Sequence, residues 1–305
     1  MQLLRRPSLT PTKRYEQQLI ALLGPAAVGK TTYIATLLHW EDAPQNEYFK
    51  VKDTDGDATE LKPQAQDLLC QGQPLQLTRV REVFDIRKYG LYLEVCPHPR
   101  QKALLNLRCQ DYPGEIFAAM QHGDPDQVLN RHTPENPSYM DDIFRKDIRG
   151  CMIFLDSWLD DPPPSALAHK IPNWDAFYLK CLQGFYQQAN LRQRVSNLRL
   201  VVALSKCERG EFWPARLDPE FDIFQRRFPQ TYAFLIDKWP RNHLLFHALS
   251  TFGVLDPIKD PRPNRKTAPG VSDTLRHSDF KEWKPYGVIS PLYWLCTGHK
   301  MNPHV

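Results

Sequence analysis

The stretch from Leu19 to Leu38, LIALLGPAAVGKTTYIATLL, constrains this chain most. An apolar run ends at a glycine-framed loop, Gly24-Pro-Ala-Ala-Val-Gly29, and Lys30-Thr31-Thr32 then opens a second apolar segment. In that segment Ile34, Leu37 and Leu38 share one helical face. The reading is a buried strand over Gln17–Leu23, a tight loop, and a helix over Thr31–Trp40. The loop fits G-x4-G-K-[ST], a match that average residue usage yields by chance in roughly one chain of this length per hundred. Its place between a strand and a helix is the context that gives the pattern meaning.

Such a loop has a definite chemistry. Glycines let the backbone wrap so that its N–H groups point inward at anionic oxygens, and the helix N-terminus adds a partial positive charge. Gly24, Ala26, Ala27, Val28, Gly29, Lys30, Thr31 and Thr32 are therefore the expected cradle of a nucleoside triphosphate. Lys30 is expected to reach the β- and γ-phosphates, and the Thr31 hydroxyl to ligate Mg²⁺. A carboxylate at a strand end must complete the metal shell, and D-x-x-G occurs twice. Asp53-Thr-Asp-Gly56 lies in polar surroundings and reads as an acidic turn; a calcium loop would need glycine where Ala58 stands. Asp111-Tyr-Pro-Gly114 directly follows the apolar run ending at Cys109, so Asp111 is the expected metal carboxylate and Gly114 the expected γ-phosphate contact.

Further strands are expected at Gly90–Val95, Ala103–Cys109, Gly150–Asp156, Leu198–Ser205 and His243–Ser250. The first two are joined by only CPHPRQK, which allows an antiparallel hairpin and no crossover. Helical spacing of Tyr178, Cys181, Leu182, Phe185 and Ala189, and a helical stretch around Phe221–Trp239, separate the later strands. Strands alternating with helices argue for an α/β layered sheet, mostly parallel with one antiparallel strand. The polar stretch holding DTDGD and QGQP reads as surface loop or short helix. The expected organisation is a flexible tail over 1–14, one domain over 15–256, and a proline-rich extension over 257–305. The extension's last helix, SPLYWLC, is expected to take Ser290 as N-cap and to dock through Leu292, Trp294 and Leu295. Many of the 27 prolines fall in that extension and other loops; the net charge of +4 is mild and gives little reason to expect nucleic acid. Seven cysteines without a CxxC read as reduced thiols of a cytoplasmic protein, and Cys96-Pro-His98 alone makes no metal site. No run approaches the roughly 18 apolar residues of a membrane span.

On the loop, the hairpin and D-x-x-G in that order, the chain resembles the P-loop GTPases of the translation-factor-like class. LLGPAAVGKTTY, QDYPGE, LSKCE, HALSTFG and SPLYWL further resemble the bacterial double-GTPase families associated with conflict or defence gene clusters. The resemblance implies a three-layer P-loop fold of Ras-like topology with insertions, GTP with Mg²⁺ as ligands, and protein partners in a multi-component system. It also implies a switch threonine on the metal, for which Thr78 is the best match and Thr54 and Thr59 are alternatives. Base recognition falls to Ser205-Lys206-Cys207-Glu208, where the family pattern is [NT]-K-x-D. Lys206 would pack on the purine and Glu208 would accept from guanine N1 and N2. Glutamate for aspartate adds a methylene, so ATP stays open beside GTP. Ala248-Leu249-Ser250 resembles the last base-contacting loop, in which a backbone N–H meets the base carbonyl.

Where many such enzymes carry a water-positioning glutamine, this chain has Glu115, whose charge suits slow hydrolysis; it also suits a plain helix start. Lys30, Gly114 and Glu115 are the catalytic candidates, with Arg108, Arg131 and Arg145 as possible sources of a stabilising charge. Three classes remain: a slow GTP-hydrolysing switch, a P-loop ATPase or small-molecule kinase, and a non-catalytic nucleotide-binding scaffold. Trp239, Trp283 and Trp294 serve either an interaction surface or the anchoring of loops on the core.

Overall fold

The computed structural model describes residues 12–40, 49–53, 56–71, 86–98, 101–129, 138–156, 173–209, 212–268, 271–276 and 283–301. In chain order the elements are β1 (Lys13–Leu23), α1 (Lys30–Trp40), β2 (Phe49–Asp53), α2 (Gly56–Gln71), β3 (Arg87–His98), β4 (Gln101–Asp111) and α3 (Gly114–Ala119). Next come α4 (Pro125–Val128), α5 (Tyr139–Ile143), β5 (Ile148–Asp156), α6 (Trp174–Leu191), β6 (Arg199–Ser205), α7 (Phe212–Ala215), α8 (Gln225–Arg227) and α9 (Pro229–Lys238). The remainder is β7 (Leu244–Ala248), β8 (Val254–Asp256), β9 (Asp260–Pro263), β10 (Arg265–Ala268), β11 (Val271–Leu275) and α10 (Ser290–Thr297).

Seven strands form one sheet in the order β2-β3-β4-β1-β5-β6-β7. β3 runs antiparallel to both β2 and β4, and every other neighbouring pair is parallel. The expected mostly parallel sheet with one reversed strand is thus present. β5 and β6 are buried along nearly their whole length because both faces are covered, as parallel strands require. Alternate residues feed two separate cores. Ala21, Leu23, Cys151, Ile153, Leu155, Leu200, Val202 and Leu204 join α6 and α9 on one side. Ile20, Leu22, Met152, Phe154, Val201 and Ala203 join α1, α2 and α10 on the other. This is a three-layer sandwich.

Several boundaries differ from expectation. β1 begins at Lys13, within the stretch expected as a tail, because Lys13 and Arg14 pair with Ala103 and Leu104 of β4. The polar stretch after α1 supplies β2, an added edge strand, and the sixteen-residue α2. Its buried residues Ala58, Leu61, Ala65 and Leu68 fall at helical spacing, but two are alanines and Pro63 interrupts them. The proline-rich extension holds two hairpins, β8–β9 and β10–β11. Prolines 261 and 263 sit in a two-stranded ribbon whose edges need no full ladder. Ser290 does not cap α10: Ile289 is the N-cap, and the Ser290 hydroxyl lies 3.3 Å from His247 Nε2.

Trp239, Trp283 and Trp294 are all buried, and the first two indoles donate to the carbonyls of Leu198 and Thr251. They anchor loops on the core. Leu292 and Leu295 are fully buried beneath β5 and β6, so α10 is part of the layer that covers the sheet. Leu292→Ala is expected to destabilise the chain by about 2–5 kcal/mol, read as a lowered urea midpoint in equilibrium unfolding. An unchanged midpoint would mean that α10 does not seal this face.

Candidate functional site

The parallel strands deliver three loops to one edge of the sheet: the loop after β1, the turn after β4 and the loop after β6. The first is sharply bent. Gly24, Ala27 and Gly29 have φ of 141°, 61° and 100°, so the backbone reverses curvature repeatedly before α1 starts. A side chain at position 24 would put Cβ 2.5 Å from the Phe154 carbonyl oxygen. Ala27 has no glycine's freedom, and its left-handed backbone costs roughly 1–2 kcal/mol. Val28 is buried in the core and fastens the loop from beneath. The first helical turn closes with the Tyr33 N–H donating to Gly29 O at 2.9 Å.

Lys30 folds back over this loop. Its ammonium donates to Gly24 O at 3.0 Å and Pro25 O at 3.1 Å. Burial pulls its pKa below the ordinary lysine value, opposed by the charges of Asp111 and Glu115. Thr31 Oγ1 donates to Asp111 Oδ2 at 2.9 Å. Asp111 sits at the end of β4, in register with Leu22 of β1, and the next N–H, of Tyr112, donates to Leu22 O. The carboxylate is fully buried and Oδ1 has no hydrogen-bond partner. Burial raises its pKa, against the pull of Lys30, the Thr31 hydroxyl and Arg87.

A hydroxyl beside a buried carboxylate with an open oxygen is a donor set that fits Mg²⁺, which takes oxygen ligands and completes its shell with phosphates and water. Thr31 and Asp111 are the residues that would hold it. Among the described residues no three or more His, Cys, Asp and Glu form a group that could hold a metal ion.

Gly114 closes the second side of the loop. A Cβ there would lie 2.2 Å from the Ala26 nitrogen, so only glycine lets the turn after β4 meet the loop after β1. Glu115 follows in the first turn of α3, exposed to solvent. Thr32 is half-buried in α1. Of the threonine candidates, Thr59 donates to Asp53 Oδ2 at 2.9 Å and belongs to the start of α2. Thr78 and Thr54 lie outside the described residues, as does Arg131. Arg145 is committed to Asp142 and Asp147. Arg87 is the arginine that sequence reading missed: it stands opposite Asp111 in the β3–β4 ladder. Counting outward from the Val95–Ala103 pair of the hairpin would have found it.

The third loop differs from expectation. Lys206 has a left-handed φ of 58°, and its ammonium pairs with Asp156 Oδ2 at 2.5 Å. Burial lowers its pKa, with Asp156 opposing. Glu208 does not face an open pocket; it is buried against Arg265, 3.3 Å from Nη1. In the Ala248–Ser250 segment two backbone N–H groups are already engaged. Leu249 N–H donates to Leu204 O and Ser250 N–H to Tyr286 O, because this segment clamps β6 and the C-terminal extension.

Sheet order, the loop between β1 and α1, and the Thr31–Asp111 pair give the chain a three-layer α/β fold of the P-loop type. No protein-family model matches the chain, and no curated protein matches it. Among solved structures it is similar to the Saccharomyces cerevisiae Ski7 GTPase-like domain bound to GTP, with 14% identity and a TM-score of 0.41 over 93% of this chain and 50% of that one. It is also similar to the bacterial selenocysteine-specific elongation factor EF-Sec, with 12% identity and a TM-score of 0.32 over 78% and 26% of the two chains. A third likeness is to the SRb-GTP/SRX complex from Chaetomium thermophilum, with 13% identity and a TM-score of 0.32 over 76% and 89%. The chain thus spans about half the length of the Ski7 chain it matches.

The close approach of Gly114 to Ala26 gives a direct test. Gly114→Ala must push the two loops apart and is expected to lower stability by about 1–3 kcal/mol in urea unfolding. No change would show that the turn after β4 can move away freely.

Proposed function

We propose that the chain is a nucleotide-dependent molecular switch that binds GTP with Mg²⁺ and hydrolyses it slowly. The reading is carried by one juxtaposition: Thr31, the open oxygen of Asp111, the Lys30 ammonium and the Gly114 backbone converge on a single bent loop. In this reading Lys30 exchanges the carbonyls of Gly24 and Pro25 for phosphate oxygens, while the N–H groups of residues 26–32 surround the phosphate chain. When bound, Mg²⁺ supplies charge neutralisation at the phosphates, held by Thr31 and Asp111, with Thr78 as the proposed switch ligand. Gly114 meets the γ-phosphate with its N–H. Glu115, solvent-exposed at the start of α3, orients water less well than a neutral amide would, which keeps turnover slow. Lys206 and Glu208 carry the preference for guanine, with Ala248 and Leu249 shaping the same corner.

Protein partners in a multi-component conflict or defence system, and a cytoplasmic location, follow from the motif resemblance and the cysteine usage. Among the described residues no helix is long and apolar enough to cross a membrane.

The test is the nucleotide that copurifies with the wild type and with Lys30→Ala, followed by single-turnover phosphate release without an acceptor. The wild type is expected to retain guanine nucleotide and the variant to lose it. Release is expected on the order of 10⁻⁴ to 10⁻² per second. Retention by Lys30→Ala, or no binding by wild type at saturating Mg²⁺ with GTP or ATP, would overturn the reading. Transfer only with an acceptor would indicate a kinase, and retention without release a scaffold.

A further inference from the structure

The C-terminal hairpins reach back to the loop after β6. Asn264 N–H donates to Gly253 O at 3.0 Å, and Arg276 N–H to Asn264 O at 3.3 Å, which fixes the start of β10 beside the loop that follows β7. From there Arg265 enters the interior. Its side chain is 6% exposed, its Nη1 lies 3.3 Å from Glu208 Oε1, and its guanidinium lies 5.4 Å from the centre of the Phe252 ring. The Glu208 side chain has no exposed surface, and its Oε2 has no hydrogen-bond partner.

We propose that Arg265 is a specificity-determining residue of the base site, an internal stand-in that holds Glu208 until a guanine base displaces it. The proposal rests on the reading of Lys206 and Glu208 as the base-recognising pair. Its basis is a chemical identity between two donors. The N1–H, C2 and N2–H₂ edge of guanine is itself a guanidine unit, and like the arginine fork it presents two roughly parallel N–H groups to one carboxylate. A carboxylate with no open surface cannot accept from a base while Arg265 stays in place. Entry of guanine and withdrawal of Arg265 are therefore one exchange.

That exchange leaves Glu208 paired before and after, so the carboxylate escapes the severe penalty of a buried charge stripped of its partner, and the withdrawn guanidinium must move out to water. Adenine has an acceptor at N1 and no amino group at C2, so its lone 6-amino group offers no two-donor edge with which to replace the arginine fork. The unpartnered Oε2 is the second sign of a missing donor. One arginine contact at 3.3 Å leaves half of this buried carboxylate unsatisfied, and a two-donor base edge satisfies both oxygens.

The experiment compares GDP and ADP affinities, with Mg²⁺, for the full chain as wild type, Arg265→Ala, Arg265→Lys and the Arg265→Ala/Glu208→Ala pair. Thermal unfolding of each protein verifies that it is folded. Arg265→Ala is expected to bind GDP about tenfold more tightly than wild type, with ADP affinity unchanged. Arg265→Lys keeps the charge but lacks the planar two-donor edge, and is expected to fall between them. The double variant is expected to lose the gain. Weaker GDP binding by Arg265→Ala, or an equal change for both nucleotides, overturns the proposal while leaving the nucleotide reading intact. If Arg265→Ala fails to fold, a GDP-to-ADP preference in Arg265→Lys no higher than wild type overturns it equally. Absence of GDP and ADP binding in every protein, wild type included, overturns the nucleotide reading itself and the proposal with it.

Discussion

A hydrogen bond from Thr31 Oγ1 to Asp111 Oδ2 joins two parts of the chain that are eighty residues apart in sequence. It forms because β1 and β4 are parallel neighbours and end together, with Leu22 beside Asp111. The parallel pairing places the loop after β1 and the turn after β4 on the same edge of the sheet. Everything else at that edge depends on this pairing: the approach of Gly114 to Ala26, the burial of Lys30, and the open oxygen of Asp111. A one-residue slip between the strands would turn Asp111 to the opposite face and remove the site altogether.

The charges at this edge are held in tension. Asp111 and Lys30 are both taken out of water, each drawn toward its neutral form by burial and back toward its charged form by the other. The loop after β6 holds two further ion pairs taken largely out of water, Lys206 with Asp156 and Glu208 with Arg265. Buried pairs of this kind add little net stability against apolar substitutes. They lie in two loops at the same edge of the sheet, where the strands after which they stand end together.

The central strands were legible because each holds a fully apolar segment and the hairpin turn is short; Ile20–Leu23, Cys151–Leu155 and Leu200–Leu204 admit few other readings. The loop after β1 was legible because its chemistry is local, one contiguous run of backbone and side chains. What sequence reading missed depends on partners distant in the chain. α2 buries a stripe containing two alanines, which carries little hydrophobic signal alone and is stabilised by α1 and β3. The ribbons of residues 254–275 are short and proline-bearing, and their periodicity is too brief to read. The pairing of Glu208 with Arg265 spans 57 residues and has no local trace at all. Arg87 is the intermediate case, recoverable by counting along the hairpin.

Ala27 and Lys206 share a property that bears on how the molecule meets a ligand. Among the described residues only they and Gln193 hold a left-handed backbone without being glycine, and these two lie on the loops after β1 and β6. Their unfavourable torsions are held by the packing of the fold around the two loops. Folding therefore supplies the work of bending these loops, and association is relieved of ordering them. A molecule shaped to the edge of this sheet meets walls already set.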